Sequence, residues 1–114
     1  MFKRLIDVVW LKGYAFWLCW VGLFRGYRFH PFATVKGRGF FLEAGSSIRN
    51  VRLDAGQGSI FFHSGCWLND GVEISVINEI VIGRGTTLQR NVTINGQVCL
   101  GVNCLLAPNV FISS

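Results

Sequence analysis

The sequence predicts an all-β solenoid, a parallel β-helix of about four coils, preceded by an N-terminal α-helix. Two observations point to the solenoid and a third to the helix. Ile82, Leu88, Ile94, Leu100, Leu106 and Ile112 recur at an unbroken step of six, which is neither a helical period nor that of a plain strand. Two positions before each stands a small or β-branched residue: Ile80, Thr86, Val92, Val98, Cys104 and Val110. Hexapeptide repeats of this kind supply one short strand and one corner each, and three of them make a coil. Because alternate strand residues face opposite ways, the two registers share the inner face and the residue between them points outward. The third observation is the apolar run from Val8 to Phe24, broken only by Lys12, Gly13 and Gly22 and free of proline. It is too long for one strand and reads as helix.

The chain divides into residues 1–38, a basic and largely apolar helix with its connector, and residues 39–114, the hexapeptide-repeat β-helix. The helix is expected over residues 1–28, with Leu5, Val9, Phe16, Trp20 and Leu23 along one face. Its opposite face is hardly more polar, so a covering surface is implied. Three coverings stay open: an anchor lying in one membrane leaflet with Trp10, Trp17 and Trp20 near the headgroups, a protein surface, or a span. The run from Val8 to Phe24 sits at the lower edge of the about 20 residues that cross a bilayer. Lys3 and Arg4 before it and Arg25 and Arg28 after it give a span no preferred orientation. No small-residue cleavage site of a signal peptide follows. Gly13 and Gly22 each weaken a helix by roughly 1 kcal/mol relative to Ala, which a covering surface has to offset.

Residues 29–39 are expected to form a connector, with Pro31 turning His30 away from helix and Gly37 and Gly39 marking turns. Inward pairs then follow at Phe40 and Leu42, Ser46 and Ile48, and Val51 and Leu53. After a loop at residues 55–58 come Ile60 and Phe62, Cys66 and Leu68, and Val72 and Ile74. From Ile74 to Ile82 the step is eight, so two extra residues near Val76 to Asn78 are expected to bulge from a corner. Asn69, Asn91, Asn95, Asn103 and Asn109 fall near corners, where Asn tolerates left-handed backbone.

The net charge is +5, and residues 1–38 alone carry +6: Lys3, Arg4, Lys12, Arg25, Arg28, Lys36 and Arg38 against Asp7. A basic segment rich in Trp and Phe favours an anionic membrane surface through residues 1–28. Nucleic acid is not expected as a partner, because no recognised motif accompanies the charge. Cys19, Cys66, Cys99 and Cys104 form no CxxC pair. Cys66 and Cys104 fall on small inward positions and read as compact hydrophobes, with structural zinc or a disulfide as alternatives. Reduced thiols suit the cytoplasm, and the location expected is cytoplasmic, peripheral at the inner face of the membrane.

"IGRGTTLQRNVTING" and "LGVNCLLAPNVFISS" resemble the hexapeptide-repeat acyltransferases, within them the O-acetyltransferases of sugars and surface polysaccharides. The likeness covers roughly residues 58–114, and "APNVFIS" is its most specific part. It implies a left-handed coil, a homotrimer, acetyl-CoA as co-substrate and a sugar or polysaccharide acceptor. Acetyl transfer needs a base to take the hydroxyl proton and donors for the charge on the thioester oxygen. In that family the base is a His a few residues beyond the segment resembling "LLAPNVFISS", so here it is expected beyond Ser114 and no residue of the chain is assigned that role. The chain is then the N-terminal part of such an enzyme, inactive alone. Ile112 closes in full register with no capping helix, as expected of a tube whose coils continue.

The resemblance also marks Gln89 and Asn91 as acceptor-binding candidates, Gln89 standing where the family can carry an asparagine and Asn91 serving equally as a corner. Arg90, between them, is either an anion contact or a solvated surface residue. His30 reads as a loop residue, and His63 as an outward corner residue with at most a part in acceptor contact. No phosphate loop of nucleotide-binding type appears, since "GRGTT" lacks the Lys and the following helix, and no metal ligand set is expected. A non-catalytic β-helix module for membrane association or oligomerisation is the alternative function.

Overall fold

In the computed structural model, residues 16–31 and 33–113 are described. The expected solenoid is present. Residues 16–25 are helical (α1), and the part of the expected helix over residues 1–15 lies outside the described residues. The helix ends sooner than expected, at residue 25, where Gly26 takes a φ of 85° that only glycine adopts freely and its amide closes on Gly22 O at 2.9 Å. Gly22 sits where the helix meets the coils: a methyl there would fall 2.6 Å from the Tyr27 carbonyl oxygen. Its cost in helix propensity is thus the condition for close packing.

The strands are β1 (Arg28–Phe29), β2 (Thr34–Gly37), β3 (Phe40–Leu42), β4 (Ser47–Ile48), β5 (Arg52–Gly56) and β6 (Ser59–Phe62). They continue as β7 (Trp67–Leu68), β8 (Glu73–Ile82), β9 (Thr87–Leu88), β10 (Thr93–Leu100), β11 (Leu105–Leu106) and β12 (Phe111–Ser113). Pairing is parallel throughout and always with the neighbouring coil. One face runs β1-β4-β7-β9-β11 and a second β2-β5-β8-β10-β12. The third stacks β3, β6 and the later halves of β8 and β10. Successive turns carry the chain from Arg28 to Ser47, to Trp67, to Thr87 and to Leu105, each the ladder partner of the one before. Only the last of these turns is three unmodified hexapeptides.

The expected inward pairs from Phe40 to Ile94 are buried, apart from half-buried Leu42. Val98, Leu100, Cys104, Leu106, Val110 and Ile112 are half-buried and close the core from the last coil. The two surplus residues are where the step of eight placed them. Gly96 pairs with Val76 but Val98 with Ile80, and exposed Ile77 stands out from the corner.

Residues 29–39 are a correction. The expected connector is itself the first coil, β1 pairing with β4 and β2 with β5, and Tyr27, Phe29, Ala33 and Val35 are buried in the core. Phe29 and Val35 keep the step of six across Pro31, which occupies a corner and gives up no ladder bond.

A column of small polar side chains lies inside one edge of the tube. Ser46 Oγ donates to His63 O at 3.1 Å, Cys66 Sγ to Gly83 O at 3.2 Å and Thr86 Oγ1 to Gly101 O at 2.8 Å. Each satisfies a carbonyl of the next corner, where the ladder is interrupted. Among the described residues no buried side-chain nitrogen or oxygen lacks a partner. Burial pushes the Cys66 thiol up to about 11, so it stays protonated and inert. All four cysteines are unpaired.

Candidate functional site

Glu43 and His63 each follow the last inward residue of a strand, Leu42 and Phe62, and these two are partners across adjacent coils. The pairing stacks Glu43 over His63 on one corner although a full turn of chain separates them. His63 Nδ1 lies 2.8 Å from Glu43 Oε1, and the Ser64 amide donates to Glu43 Oε2 at 3.1 Å. The hydrogen bond from His63, supported by the Ser64 amide and partly offset by lost hydration, holds the Glu43 carboxyl below the usual carboxylate range. Donation from Nδ1 to the Glu43 carboxylate leaves Nε2 as the ring nitrogen open to an outside partner. The nearby hydroxyl of Ser64 donates to Ala44 O at 2.8 Å.

This corner borders a cleft of about 300 Å³ between α1 and the face made by β3 and β6. Trp17 and Val21 of α1 form one wall and Arg25 stands at the helix end. Opposite them Phe41 and Phe61, partners on adjacent strands, stack with centroids 4.6 Å apart and planes 9° from parallel. The cleft thus joins an aromatic floor to a rim carrying a guanidinium, a carboxylate and an imidazole. That lining suits a ligand with one apolar side and several hydroxyl or anionic groups. Both carboxylate oxygens of Glu43 engage the next coil, so the pair also ties two coils together.

Gln89 and Asn91 lie elsewhere, on the corner between β9 and β10. Gln89 is half-buried and donates its backbone amide to Leu106 O at 3.0 Å. Asn91 has a φ of 59°, as a corner residue does, and Asn103 and Asn109 share that conformation. Arg90 is exposed, and the Asn109 amide donates to its carbonyl at 3.0 Å. These residues and the Glu43–His63 pair belong to different corners of the tube. His30 is half-buried at a corner of the first coil, its amide bonded to Ile48 O at 2.9 Å.

His63 stands at an outward corner as expected, its side chain 44% exposed. Its pairing with Glu43 is the feature of this corner that the sequence reading misses. The signal is present all the same: once Leu42 and Phe62 are placed one turn apart, the residues that follow them must share a corner. Among the described residues no group of three or more His, Cys, Asp or Glu is placed to hold a metal ion. No protein-family model matches the chain, and no curated protein or solved structure matches it.

Proposed function

We propose that the chain supplies the coils of an acetyl-CoA-dependent O-acetyltransferase that acts on a sugar or surface polysaccharide, with left-handed winding and a homotrimeric assembly. The observation that carries this reading is the unbroken hexapeptide register from Ile82 to Ile112, ending in the "LLAPNVFISS" segment that resembles the stretch just before the family's base. In the reaction the base takes the proton of an acceptor hydroxyl while that oxygen bonds to the acyl carbon of the thioester. The C–S bond then breaks and the proton passes to the departing CoA thiolate. On this reading the base is a His encoded after Ser114, Gln89 and Asn91 stand toward the acceptor, and Glu43 and His63 join two coils.

The test pairs the coding sequence after Ser114 with a transfer assay using radiolabelled acetyl-CoA and sugar acceptors. A His within a few codons is expected, with acetyl transfer lost when it is replaced by Ala. The 114-residue chain alone is expected to transfer nothing. A stop codon directly after Ser114 with an inactive chain overturns the proposal in favour of a non-catalytic module for membrane association or oligomerisation. Transfer by that chain which His63→Ala abolishes overturns the assignment of the base and gives that role to the Glu43-held imidazole.

A further inference from the structure

One face of α1 is buried and the other is apolar and open. Leu18 and Gly22 are buried and Val21 packs on the core. On the far side Phe16 is 44% exposed, Trp17 59%, Trp20 63%, Leu23 72% and Phe24 85%. At about 3.6 residues per turn these five occupy one continuous arc of roughly 120°. No polar residue interrupts it. So many large apolar side chains on a single helical face mark a docking surface.

We infer that this face docks α1 in the plane of an anionic lipid bilayer, with Trp17, Trp20, Leu23 and Phe24 in the boundary between headgroups and acyl chains. Three features select lipid as the occupant. Trp17 and Trp20 have the amphipathic rings that settle at that boundary. Arg25 closes the helix and Arg28 follows it, while no Asp or Glu occurs between residues 16 and 42, so the flank complements anionic headgroups. A second copy meeting this face with its own equivalent face would bring no carboxylate from residues 16–42 to answer Arg25 and Arg28. Among the described residues no helix is long and apolar enough to cross a membrane; with Leu18 and Gly22 packed on the coils, the open face of α1 lies along the surface. The cleft bearing Glu43 and His63 shares Trp17 with the docking face, and docking brings it beside the headgroups.

Flotation of the 114-residue chain with vesicles of phosphatidylcholine, or of phosphatidylcholine with phosphatidylserine, tests this without any acetyl-transfer readout. Co-flotation with the phosphatidylserine vesicles is expected, with a blue shift of tryptophan emission. The Leu23→Glu/Phe24→Glu double variant alters only exposed positions, and its fold is checked by far-UV circular dichroism. It is expected to bind about tenfold or more weakly, and salt at about 0.5 M is expected to weaken the wild type similarly. Equal binding to both vesicles, or a variant that floats as the wild type does, overturns the inference. Absence of flotation also overturns it, and a homo-oligomer dissociated by the same variant then assigns the face to sister copies.

Discussion

Leu88→Asp is expected to abolish cooperative folding of the coils. Leu88 is fully buried in the column Phe29, Ile48, Leu68, Leu88, Leu106, each residue a ladder partner of the next. A carboxylate there meets only apolar side chains above and below, and an unpaired charge in such a place costs more than a domain of this size has to spare. The graded version is more informative. Leu68→Ala and Leu88→Ala are expected to lower stability by about 2–5 kcal/mol each. Leu106→Ala, half-buried on the last coil, is expected to cost less than half as much. Urea denaturation of the three variants measures this. Equal costs at the three positions would mean that burial does not fall off along the tube.

Gly83→Val is expected to be damaging as well, through the backbone and not through the core. Gly83 follows inward Ile82 on the same corner column as Glu43, His63 and Gly101. A Cβ at this position would run into the Gly101 carbonyl and approach Leu100 O to 2.7 Å. These are backbone atoms of the next coil, held by the bond from the Gly83 amide to Leu100 O at 3.0 Å. Separating the coils at that corner is expected to cost about 1–3 kcal/mol or more, seen as a lower urea midpoint with the slope unchanged. Gly101→Ala is the control. Its Cβ would meet only Cys104 Sγ, at an ordinary 3.7 Å, and a change within about 0.5 kcal/mol is expected.

What the sequence makes legible is whatever depends on the alternation of inward and outward residues. Leu88, Ile94 and their i−2 companions are inside because a register slip by one position would turn every one of them to water. The surplus at residues 77–78 is equally readable, since a step of eight in a pattern of six has to leave the ladder somewhere. The first coil is hidden because Pro31, Gly37 and Gly39 look like punctuation between elements. In a β-helix, punctuation is the corner itself, and Phe29, Ala33 and Val35 carry the register through it. The Glu43–His63 pair is hidden for another reason. It depends on the length of a whole turn, and small insertions make the early turns longer than three hexapeptides, which blurs the count from one corner to the same corner a coil later.

The helix divides along the same line. Its near-uniform hydrophobicity announces that something must cover it, but only the fold separates Leu18 and Gly22, which the coils cover, from Trp20, Leu23 and Phe24, which they leave open. Sequence periodicity cannot make that division when both sides are apolar.

Strands that pair with their counterparts one turn away are what make the chain a tube. Backbone nuclear Overhauser contacts in isotope-labelled protein measure this directly, since paired strands lie about 4.8 Å apart. Contacts linking Ser47 to Trp67, Trp67 to Thr87 and Thr87 to Leu105 are expected, all parallel and each joining one coil to the next. Antiparallel contacts that close over a short loop, as in a hairpin-built sandwich, would contradict it.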